Sequence, residues 1–517
     1  MKKTRINILR MAVPLLAVSV GGAGSAWAQP VTIEEARIVA ENWVNAIIKE
    51  RGSWGTAQEA EIETVQQFQR KGHVVGYFCR VQPMGYIIIS PRREMAPVKA
   101  YSAMTNLDPA SEEGMADLLK GKMEREFDKV QKTAKERKTV TGKEVADTLE
   151  IDYRPTWEAL LSNPQGFMQK PETEPAPAKG AEPVPDGADS DAGGEALNYQ
   201  EGGVLLSSNW HQGPPYNNDC PYQGCASPAN GRAIVGCVAT AGAQIMRYWG
   251  WPSWGEGAPY NDDYDWVNMR DSVTTASPAA QQAAVAELSH EIGVAVGMDY
   301  GCDCDCDISG CCSWANTADM EGVYQNHYRY SDVYRRNRSS YTATGWFDLM
   351  KDEFNNNRPV QYRITGHSIV GDGWQEIGNP VVRQYHMNYG WSGTGSDTWY
   401  TLDSMTTDPE DDEYLLENIM PAPYLTTLTG TFTRQTFPYR YFFRDTTGGS
   451  GTFEGGQRVQ FLPGIVVTCT SGTVTFQGTA SWFSYMFTRG DLTQGLKIEN
   501  EADAAVKLYP NGSIKFL

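Results

Sequence analysis

Positive charge is scarce in this sequence: 44 Lys and Arg stand against 63 Asp and Glu, for a formal net charge of −19. Beyond the first ten residues the basic groups are small, such as Arg335, Arg336 and Arg338. That footprint is too small for a phosphate backbone and excludes nucleic acid as a partner. Long apolar runs are also missing. Only residues 11–20 form one, and it falls short of the ~20 residues that cross a bilayer, so no membrane span is expected. Histidine is rare as well, with six in 517 residues, so any catalytic imidazole comes from a short roster.

What is present points to an exported, multi-unit chain. Lys2, Lys3, Arg5 and Arg10 precede the apolar run, and Ala26, Trp27 and Ala28 follow it. That order is a secretory signal peptide over 1–28, cut after Ala28, rather than an anchor helix, and it implies an extracellular or cell-surface protein. The remaining length suggests roughly three folded units.

Residues 29–153 have mixed patterning. Thr32 followed by Glu35 is a capping box ahead of helically spaced apolar residues. Residues 74–81 and 85–90 have strand character around a turn at Pro83, and 111–149 are charged and helical. This is a small α+β unit. Residues 154–203 change composition, above all at 171–194, where Pro, Gly, Ala and acidic residues leave almost nothing to bury. We expect a solvated linker and activation segment there. Residues 204–423 are rich in Trp, Tyr and Gly. In 424–517 the periodicity falls to two, with strands expected at 429–433, 459–462, 465–468, 473–477 and 513–517, an all-β accessory domain.

The chemistry concentrates in 204–423. Residues 236–252 read as a helix beginning at or beside Cys237, with Pro252 expected to enforce its end. A thiol at a helix N-terminus feels the positive end of the macrodipole, which favours thiolate. Ala239, Ala241, Gly242 and Ala243 let that helix be buried, and Gly236 keeps the approach to the sulfur clear. By itself the pattern fits a buried structural cysteine equally well. His367, 130 residues downstream, changes the balance: it follows Gly366 at the start of a strand and has the order and separation of a papain-type base.

Asn388 supplies a polar group to hold that ring's tautomer, and Trp391 an aromatic to shield the bond. His386 is the rival base. His367 is preferred, because Asn388 then remains available to orient it. Gln212, 25 residues before Cys237, is placed to join the Cys237 backbone N–H as an oxyanion donor, although a Gln in a Gly-Pro loop is usually just a loop residue.

Five of the ten cysteines crowd into 302–312, interleaved with Asp303, Asp305 and Asp307. Thiolates and carboxylates at that density suit a soft or borderline metal. Local disulfides stiffening a loop, or an inert loop, are the preferred readings, so neither metal nor cofactor is expected. With five members, at least one cysteine needs a partner elsewhere, a metal or a free state.

Taken in order, the elements at 210–217, 236–246, 366–373 and 386–393 resemble the streptopain family of cysteine peptidases. The resemblance covers roughly 204–405. It implies a papain-like, two-subdomain catalytic domain in an α+β chain. It also implies endopeptidase action on protein or peptide substrates through Cys237 and His367, with Gln212 as oxyanion donor, and a preference for a hydrophobic residue two positions before the scissile bond. Residues 31–106 resemble that family's inhibitory pro-domain, so the chain's own N-terminal unit is expected to act as an intramolecular inhibitor of a zymogen. Residues 453–464 and 498–512 are similar to small repetitive β modules on exported bacterial proteins. Two departures stand out: Tyr389 where the family commonly has Trp, and the Cys-rich run after Met298, Asp299, Tyr300 and Gly301. Other amide chemistry on the same fold (a peptidoglycan amidase or a transglutaminase), or an inactive secreted binding protein, are the rival functions.

Overall fold

The computed structural model describes residues 30–140, 151–169, 199–302 and 312–421, apart from 113, 227–229, 253, 262–263, 267, 392–397 and 402–412, and after 421 it describes only short strands. The signal segment 1–28, the Pro-rich stretch 171–194 and residues 303–311 of the Cys-rich run lie outside the described residues.

The N-terminal unit begins as its local chemistry dictates. Thr32 caps α1 (Ile33–Arg51) by accepting from the Glu35 N–H while the Glu35 carboxylate accepts from Thr32 N–H. Four antiparallel strands follow, β1 (Glu61–Arg70), β2 (His73–Gln82), β3 (Tyr86–Ile89) and β4 (Val98–Ser102), and then α2 (Gly114–Val140). In β3 all four residues are buried. Tyr86 and Ile88 face one core and Ile87 and Ile89 the other, so the apolar run belongs to a strand covered on both faces.

The first part of the expected linker is instead structured. Residues Arg154–Ser162 form α3, with Thr156, Trp157 and Leu160 buried, and a single turn α4 (Pro164–Phe167) buries Phe167. Trp157 Nε1 donates to the Met95 carbonyl at 2.8 Å, and Asn42 Nδ2 donates to Leu160 O at 2.8 Å. Averaging composition over 154–203 hid three well-spaced apolar anchors behind the Pro-rich run that follows them.

The later unit opens with a small hairpin, β5 (Tyr222–Cys225) and β6 (Gly231–Arg232), and then α5 (Cys237–Trp249) and α6 (Ala279–Ala295). A one-turn α7 (Met320–Gly322), β7 (Tyr334–Asn337) and α8 (Ala343–Asn355) lead to β8 (Val360–Ile364), β9 (His367–Ile377), β10 (Val382–Asn388), β11 (Thr398–Thr401) and β12 (Tyr414–Glu417). Helix α5 stops at Gly250, which takes φ +54° and returns its N–H to Met246 and Arg247, two residues before Pro252, so glycine rather than proline ends it.

One sheet runs through both units. Its ten strands lie in the order β1-β2-β3-β4-β11-β10-β9-β8-β12-β7, and every neighbouring pair is antiparallel. The join is β4 to β11, with Tyr101 opposite Trp399 and Ala100 opposite Tyr400. Helices α1 and α3 cover one face, while α2, α5 and α8 contribute to the core on the other. Among the described residues no helix is long and apolar enough to cross a membrane.

The Cys-rich run is tied down from outside itself: Cys302 forms a disulfide with Cys225 at the end of β5. Past 421 the described segments are all strands. Thr427–Thr429 lies parallel to Asp445–Thr447, Arg440–Phe443 parallel to Arg458–Phe461, and Val474–Phe476, Val506–Leu508 and Ile514–Phe516 form an antiparallel set. Strands are therefore present within three of the expected tail positions, 459–462, 473–477 and 513–517. Residues 430–433 and 465–468 lie outside the described residues.

Candidate active site

Cys237 is the first residue of α5, and the chain reaches it through a tightly held approach. Ile234 N–H donates to Gly301 O and Val235 N–H to Gln212 O, both at 3.0 Å, while Ser313 Oγ donates to the Ile234 carbonyl at 2.7 Å. Gly236 then takes φ +87°, and a Cβ there would come within 2.6 Å of Met298 Cε. Only glycine fits, for backbone reasons and because Met298 occupies the space.

The Cys237 sulfur meets the backbone N–H groups of Ser368 and Val238. Ser368 directly follows His367, so the helix-end thiol abuts the start of β9. Burial pushes the Cys237 thiol up, an effect only partly offset by those N–H groups and by the Arg363 cation. The residue keeps partial solvent access even so.

His367 begins β9 and is 6% exposed. Its Nε2 lies 2.9 Å from the Tyr389 carbonyl. A carbonyl can only accept, so Nε2 carries the hydrogen and Nδ1 keeps its lone pair. The Trp391 ring lies over the imidazole, with centroids 4.5 Å apart and planes 28° apart. The ring is therefore fixed in tautomer and covered on one side.

The group that fixes it differs from the one expected. Asn388 does not hold His367: its Nδ2 donates to Ser208 O at 2.9 Å and Gln244 Oε1 at 3.1 Å, and its Oδ1 accepts from Gly390 N–H at 3.0 Å and Gln244 Nε2 at 3.2 Å. The acceptor for His367 is the next residue's main-chain carbonyl, and Asn388 builds the turn presenting it. Because the contact is main-chain, having tyrosine rather than tryptophan at 389 does not alter it.

His386, the rival base, is committed elsewhere. Its Nδ1 lies 2.6 Å from Asp372 Oδ1, and Asp372 Oδ2 accepts from Leu206 N–H. Both side chains are almost fully buried.

Gln212 has the character of a donor without an acceptor. It is 6% exposed, and its Nε2 has no hydrogen-bond partner among the described residues. Its carbonyl holds Val235, two residues before Cys237. The structure thus gathers Cys237, His367 and Trp391 around the starts of α5 and β9, ties Gln212 to the segment leading into Cys237, and leaves Asn388 behind the turn that holds His367. Gln244 and the Tyr389 carbonyl were not singled out from sequence. A glutamine seven residues along a largely apolar helix from Cys237 was the available signal for the first, and a main-chain group leaves no signal at all.

Burial pushes His367 down to about 4 from its ordinary 6.5, with the Tyr389 carbonyl opposing the fall and the Arg363 cation adding to it. Folding therefore favours the neutral ring. That contribution to stability is whole above pH 6.5 and is lost as pH falls towards 4, about 3 kcal/mol in all. A Cys237→Ala chain should unfold in acid at a higher pH than one also carrying His367→Gln, which has no proton to gain there. Circular dichroism between about pH 7 and pH 3 reads the two midpoints, and coincidence would refute a buried neutral ring.

Two segments of the chain match known families. Residues 210–400 match the Peptidase C10 family, and residues 28–127 match the Spi protease inhibitor family. Streptopain of Streptococcus pyogenes is 29% identical over 228 residues, covering 38% of this chain and 54% of its own length. The thiol protease/hemagglutinin PrtT of Porphyromonas gingivalis is 28% identical over 214 residues, covering 37% of this chain and 22% of its own. The chain spans about half the length of the streptopains it matches. Among solved structures, a prointerpain A fragment from Prevotella intermedia aligns with 20% identity and a TM-score of 0.48, over 70% of this chain and all of that one. The chain is thus similar to the Peptidase C10 family over 210–400 and, ahead of that, to the Spi protease inhibitor family over 28–127.

Proposed function

We propose that the chain is the precursor of a secreted cysteine endopeptidase, held inactive by its own N-terminal unit. The observation that carries the reading is the meeting of a helix-end sulfur with the N–H of the residue after His367, beside an imidazole whose Nε2 is already engaged. Nδ1 is then the base. It takes the Cys237 proton as the sulfur attacks a peptide carbonyl carbon, and charge building on the oxygen is met by Gln212 Nε2 and the Cys237 N–H. Collapse expels the amine, which takes the proton from Nδ1 and leaves a thioester. Water, deprotonated by the same nitrogen, releases the acid and restores the thiol.

The two-part papain-type arrangement, with α5 and α6 on one side of the cleft and the sheet on the other, and the preference for a hydrophobic residue two positions before the cut belong to this reading through the family likeness. Inhibition by the N-terminal unit is supported by its attachment. Besides the β4–β11 join, Gln375 Nε2 donates to Tyr101 OH at 2.8 Å, and Lys122 Nζ lies 3.5 Å from Glu413 in a partly buried pair. Export through residues 1–28 and cleavage in the Pro-rich stretch complete the proposal.

Incubation with casein and, separately, with purified cell wall tests it. Casein should be degraded and wall left intact, whereas attack on wall alone would overturn the peptidase reading in favour of an amidase. An epoxide thiol inhibitor should block hydrolysis and leave its mass on Cys237. A processed form that takes up no adduct would instead be a binding protein.

A further inference from the structure

Helix α5 carries a buried side-chain amide on the face that bears Cys237. Gln244 lies seven residues on, two helical turns away, and is fully buried. Its Oε1 accepts from Trp210 N–H at 3.2 Å, Ser208 Oγ at 3.3 Å and Asn388 Nδ2 at 3.1 Å, and its Nε2 donates to Asn388 Oδ1 at 3.2 Å. The orientation of both amides is settled by main-chain groups that can only donate: Trp210 N–H faces Gln244 Oε1, and Gly390 N–H faces Asn388 Oδ1. The two amides therefore form a closed, doubly hydrogen-bonded pair.

Each contact leads to a different part of the site. Asn388 and Gly390 flank Tyr389, whose carbonyl holds His367 Nε2, so the amide pair fixes that carbonyl from both sides. Gly390 takes φ +66°, and a Cβ there would come within 2.9 Å of Thr240 Cγ2, so the turn is pressed onto α5. Trp210 lies two residues before Gln212, whose unpartnered Nε2 is the candidate oxyanion donor. Cys237 belongs to the helix itself.

We propose that Gln244 is a positioning residue that sets the Cys237 sulfur, the His367 ring and the Gln212 amide in register through one buried amide pair. It touches neither substrate nor reacting atoms and acts through Asn388 and Trp210. The inference rests on the peptidase reading for its role in turnover, but the register itself has a readout that needs no peptide hydrolysis.

Gln244→Asn shortens one arm of the pair by a methylene, Asn388→Gln lengthens the other, and the double variant restores the span. Three measurements on the full chain and its self-processed form test the proposal: kcat and KM on a peptide substrate, the pH profile of Cys237 alkylation by iodoacetamide, and the melting temperature. Gln244→Asn should lower kcat on the order of tenfold or more with KM nearly unchanged, because sub-ångström misplacement of reacting groups is felt in turnover. It should also displace the alkylation profile, which depends on how His367 meets the thiol. The double variant should recover most of kcat and the parent profile. Single variants that melt earlier but keep kcat and profile, or a double variant no better than its two losses combined, would overturn the proposal. Should the parent chain hydrolyse no peptide, the peptidase reading fails by itself, and the alkylation profiles still decide the role of Gln244.

Discussion

Replacing Cys237 with alanine is expected to abolish peptide hydrolysis and, with it, conversion of the full chain to a shorter form, while leaving the fold intact. The chemistry asks for loss on the order of a millionfold, the scale seen when the nucleophile of a catalytic triad is removed. No neighbouring group replaces the sulfur: among the described residues near it, Ser368 and Val238 present only backbone N–H groups to it, and Ser313 Oγ is engaged with Ile234 and Gly301. Alanine is also an easy substitution structurally. It is a good helix former at the first position of α5, and the approach is held by Ile234, Val235 and Gly236 rather than by the thiol. The test is a time course on a denaturing gel with a melting curve beside it. A variant that melts like the parent and still shortens itself would remove Cys237 as nucleophile, and one that fails to fold would instead expose a structural role for the sulfur.

Local chemistry made much of this molecule readable. The Thr32–Glu35 box, the doubly buried strand at Tyr86–Ile89, the helix starting at Cys237 and the strand starting at His367 are each set by side chains within a few positions of one another. What escaped reading has the opposite character. The β4–β11 join pairs residues some 300 positions apart, and no local period announces which strand edges will meet. The Cys225–Cys302 bond likewise crosses 77 residues. In α3 a brief amphipathic turn was masked by the composition that follows it. The reassignment at Asn388 is subtler: the residue was found and its neighbourhood was right, but the atom holding the imidazole is a backbone oxygen one residue on, indistinguishable in sequence from any other. Sequence reading placed Cys237 and His367 at the starts of their helix and strand better than it foresaw the groups that hold them, since a proposed nucleophile or base needs a particular side chain and an aiming group often does not.

Gln212 provides the other large expected effect, and here activity and stability should move in opposite directions. A buried amide N–H with no acceptor is a cost to the folded state of about 1–3 kcal/mol, because water is lost and nothing replaces it. Among the described residues the Gln212 Nε2 is such a group. The folded chain tolerates it where the oxygen of a reacting carbonyl would gain its negative charge, so the missing acceptor would arrive only with the transition state. Gln212→Leu keeps comparable bulk and removes the polar end. It should raise the melting temperature or leave it unchanged while lowering kcat on the order of 100-fold, with a much smaller change in KM, since the bond strengthens as charge develops. Thermal melts and steady-state kinetics on the same preparations read both quantities. A variant that loses stability and activity together would make Gln212 a prop for Val235 and the approach to Cys237, leaving the oxyanion without its side-chain donor. A variant unchanged in both would mean that the carbonyl oxygen sits elsewhere in the cleft.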